Sequence, residues 1–83
     1  MQITRDQEFL SLIAENVKNF RLNTKLSQEE LAWQCEIDRT YISKIERGIA
    51  NPSILILFKI SNILGIELQD LFSDPIIITQ PKD

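Results

Sequence analysis

The sequence predicts an all-α domain, because apolar residues recur at helical spacing and residues typical of helix ends separate the segments. The clearest apolar stripe runs from about residue 6 to residue 22 and consists of Phe9, Ile13, Val17 and Phe20. Separations of four, four and three positions place these side chains on one face of a helix. Both glycines, Gly48 and Gly65, follow predicted helices where a left-handed residue is expected. We expect five helices in one domain over residues 1–74, followed by a tail over residues 75–83.

Two short helices joined by a tight turn follow the first helix. Ser27, with Glu30 three residues later, forms a capping box at the start of the second helix. The inward side of that helix is predicted to be Leu31, Ala32 and Cys35. Asp38 takes the N-cap position of the third helix. A rotation of about 100° per residue places Ile42 and Ile45 on one side of the third helix. The other side is entirely polar and consists of Arg39, Thr40, Ser43, Lys44 and Arg47.

A fourth, strongly apolar helix is predicted from Ser53, its cap, to Leu64, and a fifth over residues 68–72. The core side of the fourth helix should be Leu57, Ile60, Ser61 and Leu64. The remaining apolar surface exceeds what one small core needs, which predicts a symmetric interface between two copies. That interface is predicted to contain Ile56, Ile63, Leu68, Phe72, Ile76 and Ile78. For the segment 76–79 three roles stay open: pairing as a strand, covering the core, or being ordered by a neighbour.

Composition argues against catalysis and against a membrane protein. The chain has no histidine and one cysteine, so it lacks the usual general base and the usual metal-ligand sets, and no metal or cofactor is expected. The longest unbroken apolar run, residues 54–58, is far shorter than the roughly 20 residues that cross a bilayer. We expect a cytoplasmic protein that is not an enzyme and has no membrane partner.

Net charge is −3, which is unusual for a protein that binds phosphate. The excess of acids over bases lies outside the central segment, however. Residues 18–47 contain six basic and five acidic side chains, whereas residues 67–83 contain one basic and four acidic. Phosphate contacts per subunit should therefore be few, and affinity for a nucleic acid should depend on dimerisation and on low salt.

Several segments match one family in both letters and spacing. They are Leu26–Ala32, Tyr41–Gly48, Pro52-Ser53 and Leu64–Ile66 with Leu71-Phe72. Residues 17–72 thus resemble the Cro/repressor (XRE-type) helix-turn-helix family, which implies a compact lambda-repressor-like fold and an ion pair between Arg21 and Glu46. Residues 38–43 are similar to the controller proteins of bacterial restriction–modification systems. The sequence departs from the family at Lys25 and Glu36, where members often carry glycine. Either these corners take another conformation or the chain tolerates strain there.

The resemblance and the polar side of the third helix together predict a sequence-specific transcriptional regulator. The third helix would lie in the major groove of double-stranded DNA, and a homodimer would place two such helices about 34 Å apart on a pseudo-palindromic operator. Base contacts are predicted for Arg39, Thr40, Ser43 and Lys44. Phosphate contacts are predicted for Gln28, Tyr41, Arg47, Asn51 and Ser53, with packing or capping an equal alternative for Tyr41 and Ser53.

The regulator could be the controller of a restriction–modification operon, and such a role implies a contact with RNA polymerase. A phage-type repressor, an antitoxin that also holds a toxin, and a protein-interaction module with the same fold are the alternatives. Trp33 projects away from Leu31, so it is exposed, packed on the N-terminal segment or in contact with DNA. Of these, packing on Ile3 or Phe9 is favoured.

Overall fold

A computed structural model describes residues 5–74, which form four α-helices and one 3-10 helix. They are α1 (Arg5–Asn23), α2 (Gln28–Cys35), α3 (Arg39–Glu46), α4 (Ile54–Leu64) and the 3-10 helix (Leu68–Phe72). The all-α prediction is confirmed for this part of the chain, but the count of five α-helices is wrong. The last element is a 3-10 helix of five residues rather than an α-helix. Its hydrogen bonds join residues three positions apart, as in the bond from the N–H of Asp70 to the carbonyl of Glu67 at 2.9 Å. None of the helices in residues 5–74 is long and apolar enough to cross a membrane.

Each of the five elements contributes to a single core. α1 packs against α3 and the 3-10 helix, while α2 packs against α3 and α4. One fully buried residue from each element marks the centre of this core: Val17, Leu31, Ile42, Ile60 and Leu71. The inward sides predicted for α2, α3 and α4 are all buried, so those predictions are confirmed.

Phe9 differs from the other members of the apolar stripe on α1. It is 48% exposed, and its ring stacks on that of Phe72 with 5.8 Å between the ring centroids. At 19 residues, α1 is more than twice as long as α2 or α3. Its first turns therefore extend beyond the part of the core that those helices cover, and Phe9 packs only at the edge.

All four α-helices end in the same hydrogen-bonded turn, the Schellman motif. After α2, for example, the N–H of Ile37 donates to the carbonyl of Ala32 at 3.0 Å, and that of Glu36 donates to Trp33 at 3.1 Å. The left-handed residues of the four turns are Lys25 (φ 67°), Glu36 (φ 61°), Gly48 (φ 74°) and Gly65 (φ 72°). The prediction for both glycines is confirmed. At Lys25 and Glu36 the chain keeps the same turn without glycine, at the cost of a strained backbone.

Asn16, for which the sequence predicted no role, joins α1 to the end of the 3-10 helix. Its side chain is buried, and its Nδ2 group donates to the carbonyls of Leu71 at 2.9 Å and Ser73 at 2.7 Å. A polar residue within the inward-facing part of a helix is the signal that predicts such a role. The backbone of residues 71–73 is thereby fixed against α1.

Candidate nucleic-acid interface

Side-chain caps fix the starts of the two central helices. Ser27 Oγ accepts from the N–H of Glu30 at 3.0 Å, and Glu30 Oε1 accepts from the N–H of Ser27 at 2.8 Å, which confirms the capping box. Asp38 Oδ1 accepts from the N–H of Thr40 at 2.9 Å. The turn between the helices contains three residues, so α2 and α3 form one compact unit.

The outward side of α3 is polar and accessible. Ile42 and Ile45 are almost completely buried beneath it, so α3 cannot rotate without exposing them. Four of the outward side chains are exposed and Ser43 is half-buried. We call this set the polar face of α3; it consists of Arg39, Thr40, Ser43, Lys44 and Arg47. Three cations and two hydroxyls provide donors suited to phosphate oxygens and to the acceptor-rich edges of bases.

A buried ion pair fixes the far end of α3. Arg21 Nε donates to Glu46 Oε2 at 2.6 Å, and Arg21 Nη2 donates to Glu46 Oε1 at 3.0 Å. The two side chains are 9% and 3% exposed. A third guanidinium nitrogen of Arg21 donates to the carbonyl of Leu26 at 2.8 Å. The ion pair implied by the family resemblance is therefore present. Its bidentate geometry restricts how α3 can tilt against α1.

Gln28, the first residue of α2, belongs to the same network. Its Nε2 group donates to Glu46 Oε1 at 3.0 Å, a contact that was not predicted from the sequence. The glutamine thus links the start of α2 to the end of α3. Contact between Gln28 and a DNA phosphate remains a prediction. The backbone N–H groups in the first turn of α2 are also suitable donors to such a phosphate.

The other residues that are predicted to contact phosphate differ in their surroundings. Asn51 is exposed in the loop before α4, whereas Tyr41 is half-buried and packs on the core. Ser53 Oγ accepts from the N–H of Ile56 at 3.1 Å, so Ser53 caps α4 as predicted. Arg47 Nε donates to the carbonyl of Ser43 at 3.3 Å along the surface of α3.

Trp33 points into solvent with 80% of its surface exposed, so the expected packing on Phe9 is wrong. It lies on the side of α2 opposite the buried Leu31. Ile3, the other proposed contact, lies outside the described residues. Cys35, on the inward side, is buried, and burial raises the pKa of its thiol while the positive charge of Lys59 partly opposes that shift.

The exposed apolar surface of α4 is not formed by the residues predicted for the interface between two copies. Four predicted residues are half-buried and pack against the core: Ile56, Ile63, Leu68 and Phe72. The most exposed apolar side chains of α4 are instead Ile54 at 62%, Leu55 at 59% and Phe58 at 49%. Ile76 and Ile78 lie outside the described residues.

Two short helices joined at a fixed angle, with one polar outward face, define a helix-turn-helix protein. Residues 17–71 match the HTH_3 family, described as helix-turn-helix, and the chain belongs to that family. This confirms the resemblance identified in the sequence.

Similar proteins include controllers and a regulator solved with DNA. Control protein C.BamHI of Bacillus amyloliquefaciens is 46% identical over 61 residues, covering 72% of this chain and 75% of that protein. The structure of the restriction-modification controller protein C.AhdI from Aeromonas hydrophila matches with a TM-score of 0.74 at 35% identity, covering 76% of this chain and 96% of that one. SinR, the master regulator for biofilm formation solved in complex with DNA, matches with a TM-score of 0.70 at 34% identity, covering 74% of this chain and 98% of that one.

Proposed function

We propose that this protein is a transcriptional regulator that binds double-stranded DNA through α3, and that it controls a restriction–modification operon. The observation that carries the proposal is the polar face of α3, which presents three cations and two hydroxyls on a helix fixed at both ends. The similarity to C.BamHI and C.AhdI, which are both control proteins, supports the controller role, and the SinR complex supports DNA as the ligand. A contact with RNA polymerase belongs to this proposal.

Base contacts should come from the first turn of α3. Arg39 and Thr40 are exposed there, and an arginine at this position can donate two parallel hydrogen bonds to guanine. Ser43 and Lys44 lie one turn further along the same face. Gln28, Tyr41, Arg47, Asn51 and Ser53 would contact the flanking phosphates, with Tyr41 and Ser53 also serving the packing and capping roles described above.

Selection from a random duplex library, followed by titration of the selected duplex, tests DNA binding. Arg39→Ala should weaken binding by about 5- to 150-fold and relax the preference at one base pair. Lys59→Ala is the matched control, because it removes one positive charge on α4, outside the polar face of α3. Equal loss in both variants would reduce the role of Arg39 to general electrostatics, and failure to select any sequence would contradict the proposed function.

Dimerisation is the second part of the proposal, and the exposed apolar side chains of α4 support it. Leu55 and Phe58 stand next to each other on the outward side of the helix, where burial against a second copy would remove apolar surface from water. A two-fold arrangement would match a pseudo-palindromic operator. Sedimentation analysis should find Leu55→Asp monomeric. Asn19→Asp, which places the same charge at an exposed position of α1 rather than on the outward side of α4, should remain dimeric.

A further inference from the structure

An apolar groove lies between the first turns of α1, the start of α4 and the 3-10 helix. Its volume is about 310 Å³, and its lining includes Phe9, Ile13, Ile54, Leu57 and Phe72. Phe9 is 48% exposed and Ile54 is 62% exposed, so much of this lining faces water. None of the residues that line the groove is charged. The groove therefore suits an uncharged, apolar occupant.

The chain leaves the described residues beside this groove. Phe72 lines the groove, and Asn16 fixes the carbonyls of Leu71 and Ser73, which lie within three residues of the last described residue. Ile76 follows Phe72 by four residues, a span of at most about 14 Å in an extended chain. The exit of the chain is thus fixed in position and close enough for the next residues to reach the groove.

We propose that the segment Ile76–Ile78 of the same chain packs into this groove. Residues 75–81 carry no charge and include three consecutive isoleucines, which fits the uncharged lining. In an extended segment alternate side chains share a face, so Ile76 and Ile78 enter the groove and Ile77 faces outward. A short tether gives an effective concentration in the millimolar range, so the chain's own segment can occupy the groove without a second molecule supplying it.

This assignment moves Ile76 and Ile78 out of the dimer interface predicted from the sequence. The segment covers Phe9 and Ile54 and leaves Leu55 and Phe58 available to a partner copy. It also braces Asn51 and Pro52, which line the groove in the loop between α3 and α4. The inference does not depend on the DNA-binding proposal, because it concerns stability and can be tested without DNA.

Thermal unfolding of the 83-residue protein and three single variants tests the packing. Ile76→Asp and Ile78→Asp should each lower Tm by about 5 °C, because they place a charge in an apolar groove. Ile77→Asp is the matched control and should leave Tm within about 1 °C of the parent. A chain that ends at Asp74 should show a decrease in Tm as large as that of Ile76→Asp or Ile78→Asp. Equal Tm in all variants, or an equal loss in Ile77→Asp, would overturn the proposal.

Disulfide trapping identifies whose segment fills the groove. Under mild oxidation, Ile54→Cys combined with Ile78→Cys should link within one chain, giving a species of monomer mass with no free thiol other than the buried Cys35. Leu22→Cys combined with Ile78→Cys is the control, because Leu22 is exposed near the opposite end of α1. A product that is mainly a covalent dimer would assign the groove to a second copy and overturn the proposal.

Discussion

Two parts of the molecule are held against α1 by different chemistry. The α2–α3 unit shares the apolar core and is fixed in addition by charge-assisted bonds, namely the buried pair of Arg21 and Glu46 and the bond from Gln28 to Glu46. The α4 and 3-10 layer is fixed by apolar packing and by neutral hydrogen bonds, above all those from Asn16. Charge-assisted hydrogen bonds are directional, whereas apolar contact is not. The charged groups are therefore found where the angle of a helix matters most, beneath the polar face of α3.

The largest effect is expected from breaking the buried ion pair between Arg21 and Glu46. Arg21→Ala should reduce the free energy of unfolding by about 3–5 kcal/mol, because it leaves the Glu46 carboxylate buried without its partner. Urea unfolding followed by circular dichroism measures the loss. The double variant Arg21→Met/Glu46→Leu should recover most of the stability, since no charge then remains buried. A loss as large in the double variant as in Arg21→Ala would show that lost hydrogen bonds, such as the one to the carbonyl of Leu26, carry the effect rather than an unpaired buried charge.

Removing the neutral link should cost less. Asn16→Leu leaves the carbonyls of Leu71 and Ser73 without their donor, which we expect to cost about 1–3 kcal/mol in the same assay. Asn19→Leu, an exposed position on the same helix, is the control and should change stability by less than about 0.5 kcal/mol. Equal effects at both positions would mean that the 3-10 helix is held by packing alone.

The strained turn between α2 and α3 is a position where a substitution should stabilise the protein. Glu36 has a left-handed backbone with φ 61°, so Glu36→Gly should raise the free energy of unfolding by about 0.5–1 kcal/mol. Gln34→Gly, two residues earlier in the last turn of α2, should lower it by up to about 1 kcal/mol. If both variants are destabilised, the side chain of Glu36 contributes more than its backbone costs.

The smallest effect concerns Cys35, which lies where α2 meets α4. Burial raises the pKa of its thiol above the ordinary value of 9.0, so the folded state disfavours the thiolate. Stability from this group is complete below pH 9.0 and falls as pH rises above it, because the unfolded chain then loses the proton first. Unfolding free energies at pH 8 and pH 10 should differ less in Cys35→Ala than in the parent. An identical pH dependence in the two proteins would contradict this prediction.

Local rules predicted most of the fold. The caps at Ser27, Asp38 and Ser53 and the inward sides of three helices depend only on neighbours in sequence, and all were confirmed. The errors concern contacts between distant elements. The 3-10 geometry of residues 68–72, the exposure of Phe9 and the role of Asn16 all depend on where the last element packs against α1, which periodicity within one helix cannot determine.

The candidate site was predicted unevenly for the same reason. The polar face of α3 follows from helical rotation alone. The pairing of Arg21 with Glu46 came from the family resemblance, since 25 residues separate them. The bond from Gln28 to Glu46 was missed, because it requires the crossing of α2 and α3 to be known.

Trp33 determines how these experiments can be read. It is the single tryptophan of the chain and is already 80% exposed in the folded protein. Its indole ring meets nearly the same solvent before and after unfolding, so the wavelength of its emission should barely shift as the core opens. A denaturation curve recorded from tryptophan emission would therefore look flat even while the helices melt.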